Sequence, residues 1–424
     1  MTSVMDPARQ GMGSVVEADA PWRAWAFTRL LALALGGVAV YFTLGNVFFD
    51  TSYYGRWAHG ALTATRVPYR DFPWEYPPAA LPAMLLPGIP LLLLPGPPPT
   101  HHYYGAYGTL WVLYMLVVDA CALRFLVRRG GQRSSRSPAT TLWVYGLPLL
   151  GALSWARYDL IPAALAVVAV VRAGDGLGAH SGRAAGIGGA MKIWPLLLAP
   201  AQRTRQAAVR ACLTMATVMV TTAGVTFALT GETGFAQVLH YQSQRGLQVE
   251  SLAALPYVWM RHLHAFGYAS RFAFGSWEVR GPGTVAVAHL VTVVYGTGLL
   301  IIGYAHWRFM RRNAGARSVA LTAMSFLMLT LVTNKVFSPQ YVLWLLAIMA
   351  ASLALDPDTW RPLLPWAFAL TGLTAAMFPW LYGDILGTRW TGLIVMTIRD
   401  GVLLVFAWKV ACRWLTELKA VRSV

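Results

Sequence analysis

In NVFFDTSYYGRWAHG an acid, Asp50, follows directly on three apolar residues. Desolvation at such a place raises a carboxylate toward the range in which it accepts a proton, which is what a general base needs. The same position also suits an acid marking the water boundary or capping the next helix. Downstream, RVPYRDFPWEYPPAALP sets Arg70, Asp71, Glu75 and Tyr76 among further aromatic rings. Such a mixture suits a sugar, whose apolar face stacks on rings while its hydroxyls bond to charged groups; an aromatic belt with ion pairs at its rim would read the same way. RYDLIP brings Arg157 and Asp159 onto a short turn, either paired with each other or with the arginine free for a phosphate. YQSQRGLQVES gathers Arg245, Gln248 and Glu250 just before an apolar stretch, and NKVFSPQY inserts Lys335 and Gln340 between two others. His240 is a minor candidate for the same site.

The negative motifs narrow the chemistry. HExxH, GxxxxGK[ST], GxSxG and a DxD pattern of the nucleotide-sugar type are all absent, and the nine histidines lack metal-ligand spacing. No metal or other cofactor is expected. Cys121, Cys212 and Cys412 lie in or at the end of apolar segments and read as packing residues.

These residues must be positioned by elements built for a bilayer. Hydrophobic residues make up 57% of the 424 and charged ones 12%, about half the share of a soluble domain. The 34 Lys and Arg against 17 Asp and Glu fall in clusters between apolar runs, the pattern of cytoplasmic loops and not of a nucleic-acid partner. The run from Phe27 to Val47 is too long for a signal-peptide core and is expected to remain as the first span. Starting inside with Arg9 and Arg23, it emerges near Asp50. Gly105 to Val127 returns to Arg128, Arg129, Arg133 and Arg136. Further spans are expected at 139–155, 160–171, 211–229, 284–305, 318–333, 341–355, 362–382 and 391–410.

Two apolar segments do not fit as crossings. Pro82, Pro87, Pro90 and Pro95 interrupt AALPAMLLPGIPLLLLPG, so it is expected to be interfacial or re-entrant, the alternative being a kinked span. AAGIGGAMKIWPLLLAPA has arginines at both flanks and is expected to form a broken hairpin with Lys192 near its tip, on the outer face. The resulting expectation is an all-α polytopic membrane protein with ten full crossings and a broken helical hairpin, both termini cytoplasmic. Residues 1–26 read as disordered, 27–410 as one transmembrane domain with external loops at 51–104 and 230–283, and 411–424 as a cytoplasmic tail. Arg157, Lys192, Arg245 and Lys335 then converge on the non-cytoplasmic face with most of the acids, and suggest an anionic ligand. A transporter or flippase of an amphipathic anion is the rival, but would place its charges near the bilayer centre.

FFDTSYYGRWAHG, VPYRDFPWEYPP, RYDLIPA, GGAMKIWP, YQSQRGLQVES and NKVFSPQYVLW, in that order, resemble the GT-C membrane glycosyltransferases, and most closely glycosyltransferase family 87, polyprenyl-phosphate-mannose-dependent alpha-mannosyltransferases. The resemblance implies the GT-C type of fold, with membrane-parallel helices in the first external loop. It implies a polyprenyl-phosphate sugar donor, a cell-envelope glycolipid or glycan acceptor, and an acid at the end of the first span acting as base. Carried onto this chain, that acid is Asp50. The four cations would then hold the donor phosphate, and Arg70, Asp71, Glu75, Tyr76, Asp159, His240, Gln248, Glu250 and Gln340 would contact sugar or acceptor. Arabinofuranose or glucose in place of mannose fits the same residues.

Overall fold

The computed structural model describes residues 7–42, 46–93, 101–130, 137–265, 267–312 and 314–422. The chain opens with α1 (Pro7–Phe42), α2 (Phe49–Leu62), α3 (Ala80–Leu85) and a 3-10 stretch, Leu86–Leu93. There follow α4 (His101–Gly130), α5 (Pro138–Leu149), α6 (Leu153–Ala156), α7 (Leu160–Gly174), α8 (Gly178–Met191) and α9 (Arg205–Thr230). An insert between α9 and the next long helix comprises α10 (Phe235–Gln244), β1 (Leu247–Gln248), α11 (Leu255–His262), β2 (Ala269–Ala273) and β3 (Ser276–Arg280). The remainder is α12 (Thr284–Met310), α13 (Ala316–Thr333), α14 (Val342–Leu355), α15 (Pro357–Trp360), α16 (Leu364–Ala375), α17 (Tyr382–Leu386) and α18 (Trp390–Arg422).

The ten expected spans coincide with helical segments only in part: 139–155 is divided by a turn between α5 and α6, and 27–47 runs past the end of α1 at Phe42. Among the described residues, six helical segments are long and apolar enough to cross a bilayer: Pro21–Val40, Tyr103–Gly130, Arg205–Thr230, Thr284–Met310, Ala316–Thr333 and Pro357–Trp380. Leu160–Gly174 and Pro339–Leu355 are apolar but shorter. An apolar helix without a polar face belongs in a core. Accordingly α14 is buried from Val342 to Leu353 and packs on α5, α7 and α13. On α9 only Ala207 and Ala211 are buried, and much of α12 is exposed with its apolar side chains, as suits contact with lipid.

The structure departs from the sequence reading in three places. α1 begins at Pro7, so the N-terminal stretch expected to be disordered is helical from that residue; Ala18, Ala20, Ala24 and Ala26 favour it. α18 runs on through Arg422, so the tail continues the last helix. The chain is also not purely helical: β1, β3 and β2 form an antiparallel sheet in that order. Between β2 and β3, Phe274 and Gly275 both have positive φ, 51° and 69°, the combination a tight hairpin of matching twist demands.

The proline-rich segment is α3 plus the 3-10 stretch. At helical rises of 1.5 and 2.0 Å per residue it extends roughly 25 Å, short of the bilayer core. The expected hairpin at Lys192 is present. α8 ends at Met191, a 3-10 turn Trp194–Leu198 follows, and the limb returns until Gln202 Nε2 donates to Ser181 Oγ, 2.8 Å away in the first turn of α8. Gly178, Gly182 and Gly186 let α8 close on α9: a Cβ on the first two would collide with the carbonyl oxygens of Ala207 and Ala211, and one on Gly186 would press on Val218 and Met215. Gly188 and Gly189 face the returning limb, where a Cβ would press on Pro195 and Leu196.

Candidate active site

Asp50 sits in the first turn of α2, and that turn is tied down by Thr51 Oγ1, which donates to Ala156 O at 2.9 Å. The next residue along that second strand of chain is Arg157, in extended conformation between α6 and α7, and its guanidinium is in contact with the Asp50 carboxylate. Arg157 is buried and its Nε has no partner, whereas the Asp50 side chain stays partly open.

Asp159 stands where a capping residue of α7 would stand, yet its side chain makes no cap. Oδ1 instead accepts from Lys192 Nζ at 2.6 Å and from Trp344 Nε1 at 2.9 Å, and the buried Oδ2 has no partner. The Lys192 ammonium lies 5.0, 4.9 and 5.1 Å from the ring centres of Tyr158, Tyr341 and Trp344. Trp344 is stacked between Tyr341 and Trp194, so the hairpin tip and the start of α14 lock together. Tyr76 packs on Tyr158, Tyr54 and Trp57, which brings the loop between α2 and α3 to the same place.

Glu75 joins this group to a second set of cations. Burial pushes its pKa up, while Tyr241, Arg245, Tyr76 and Lys192 pull it back toward the charged form. Arg245 is held by Ser276 Oγ at 2.8 Å and Phe274 O at 3.1 Å. Lys335 donates to Gln242 O at 3.2 Å; its pKa is lowered by burial and by the neighbouring Arg245. Gln248 N donates to Lys335 O at 2.9 Å, and its side-chain amide donates to Glu250 Oε2 at 2.9 Å. Glu250 is buried, and burial raises its pKa to about 7 against the pull of Arg399 and Arg157.

Asp50, Glu75, Tyr76, Arg157, Asp159, Lys192, Arg245, Gln248, Glu250 and Lys335 thus form one connected cluster. Arg70 and Asp71 do not join it: they pair with each other at 2.9 Å on an exposed turn, where Val67 N also donates to Asp71 at 2.7 Å. His240 is exposed on α10 beside Gln244. Gln340 is partly buried in the turn before α14, one residue from Tyr341. Among the described residues, no three His, Cys, Asp or Glu side chains come together as a metal site requires.

Sequence reasoning missed Arg399 on α18. It is buried, donates to Glu250 O at 2.6 Å, lies 4.4 Å from the Phe337 ring centre and is 2.8 Å from Asp400. A charged pair inside an apolar segment was the available signal. The same signal marks Arg29 on α1 and Asp119 on α4, a buried ion pair of 2.8 Å that also engages the indoles of Trp143 and Trp155. That pair is structural, binding α1, α4 and α5 together.

The profile of glycosyltransferase family 87 matches residues 74–339. The chain belongs to glycosyltransferase family 87. It is therefore a membrane enzyme that transfers glycosyl groups. No curated protein and no solved structure gives a match. The family 87 match includes Glu75, Arg157, Asp159, Lys192, Arg245, Glu250 and Lys335, and begins after Asp50.

Proposed function

We propose that this family 87 enzyme takes a sugar, mannose in the favoured case, from a polyprenyl-phosphate donor and passes it to a cell-envelope glycolipid or glycan. The reaction takes place on the non-cytoplasmic face of a ten-crossing protein whose termini are cytoplasmic. The observation that carries this reading is the contact of Asp50 with Arg157, at the centre of a cluster that also holds Lys192, Arg245 and Lys335. A donor phosphate competes for Arg157 and frees the Asp50 carboxylate. That carboxylate accepts the proton of an acceptor hydroxyl as its oxygen attacks the anomeric carbon. The bond from that carbon to the phosphate oxygen breaks, and polyprenyl phosphate departs with the electron pair. Fixed cations stabilise the charge that develops on the leaving oxygen. Displacement from one side inverts the centre, so a beta-linked donor gives an alpha product.

The test is transfer by the purified protein from a panel of radiolabelled polyprenyl-phosphate mannose, glucose and arabinofuranose to envelope glycolipids. Asp50→Asn is expected to keep the fold and donor binding and to lose about 10² to 10⁴ in rate. Turnover like that of the wild type would remove Asp50 from this role. A second reading of the base is favoured by Glu250, whose pKa near 7 suits proton transfer and whose charge is coupled to Arg157. If Glu250→Gln loses transfer while Asp50→Asn retains it, Glu250 is the base.

A further inference from the structure

Away from the carboxylate cluster, α9 and α12 leave an apolar groove of about 560 Å³ between them, lined among others by Pro200, Val209, Leu213, Gly303, Trp307 and Phe326. Both helices expose most of their apolar surface, so the groove opens toward lipid. Arg205, in the first turn of α9, and Arg311, directly after α12, both lie over the Trp307 ring, each guanidinium carbon 4.3 Å from its centre. Both are exposed, and neither has a carboxylate partner among the described residues. Arg308, in the last turn of α12, has none among the described residues either; its guanidinium reaches Tyr304 Oη, at 3.5 Å. Like charges gathered on one indole repel unless an anion lies between them.

We propose that this groove binds an anionic phospholipid, one acyl chain between α9 and α12 and the phosphate on Arg205 and Arg311. The planar guanidinium fork matches phosphate oxygens. A basic rim over an apolar slot between membrane helices selects a charged headgroup with an attached chain. The site shares no residue with the carboxylate cluster and stands independently of the transfer reaction.

Native mass spectrometry of the full chain, released from nanodiscs of equal phosphatidylglycerol and phosphatidylcholine, tests this. The wild type should retain phosphatidylglycerol over phosphatidylcholine by roughly fivefold or more. Arg205→Gln with Arg311→Gln should bring that ratio near unity. Gly303→Phe should reduce retention of both lipids by filling the slot; a Cβ at Gly303 meets open space, so the ring has room to enter. Arg124→Gln with Arg128→Gln, at a basic cluster on α4, should leave the preference intact. An unchanged ratio in the Arg205 and Arg311 double variant would overturn the proposal. So would an equal loss in the Arg124 and Arg128 variant, since that is attraction to net charge and not a site.

Discussion

Lys192 Nζ lies 2.6 Å from Asp159 Oδ1, although 33 positions separate the two residues in the chain. The contact ties the hairpin tip to the start of α7, and Trp344 donates to the same oxygen from α14. Asp159 is almost fully buried and Lys192 mostly so. A buried pair is sensitive to the loss of one member, because the other is left charged without compensation.

Lys192→Met should therefore lower stability by about 3–5 kcal/mol. Combining it with Asp159→Asn should recover most of that loss without restoring transfer. Differential scanning fluorimetry in detergent reads both effects. Losses that simply add would mean that the pair is not coupled.

Arg157→Gln should weaken dependence on the donor and reduce kcat/KM by about 10² to 10³, the effect of removing one charge-stabilising group. Arg157→Lys should recover only part, since the charge persists while the fork is lost. Steady-state rates with varied donor at saturating acceptor check this. Wild-type donor dependence in both variants would separate Arg157 from the phosphate.

Glu250 links the site to pH. Its folded-state pKa of about 7 lies above the ordinary 4.5 of a glutamate, because burial disfavours its charge. Between those values the folded chain binds more protons than the unfolded one, so stability should fall as pH rises through the window and level off above it. The full effect has an upper bound of roughly 3 kcal/mol. Thermal denaturation from about pH 5 to about pH 8 should show this slope in the wild type and a flatter one in Glu250→Gln.

Gly182→Val should cost at least about 3 kcal/mol, because its Cβ would enter the Ala211 carbonyl and the Thr214 side chain. Gly296→Ala, on α12 where a Cβ meets nothing, should be neutral or slightly stabilising. Yield and melting temperature distinguish the two. Equal behaviour would mean that α8 and α9 are not held at this distance.

The apolar runs were readable as helices because bilayer burial imposes length and composition on them. The broken hairpin was readable from its flanking arginines and from Pro195. The cluster was readable where its residues formed dense local strings, and each of the six quoted strings contributes a residue to it. Arg70 and Asp71 were grouped with it by proximity in sequence, but neighbours of opposite charge satisfy each other locally, and these two do. Arg29 with Asp119 and Arg399 with Asp400 were passed over because the charge-based topology weighed loops, whereas these charges lie inside apolar helices. The small sheet was missed because Phe274-Gly275 lacks the asparagine or aspartate that announces such a turn.

Glycines on two sides of α8 let α9 and the returning limb press against it, so Lys192 is mounted on a doubly braced strut. Backbone bonds such as Gln248 N to Lys335 O join residues 247–251 to 335–338, and on the proposed reaction it is these two segments, not the strut, that accommodate differently shaped acceptors. On that reading, exchanging side chains in the two segments retunes which alcohol is admitted while the charge at the strut's end remains in register.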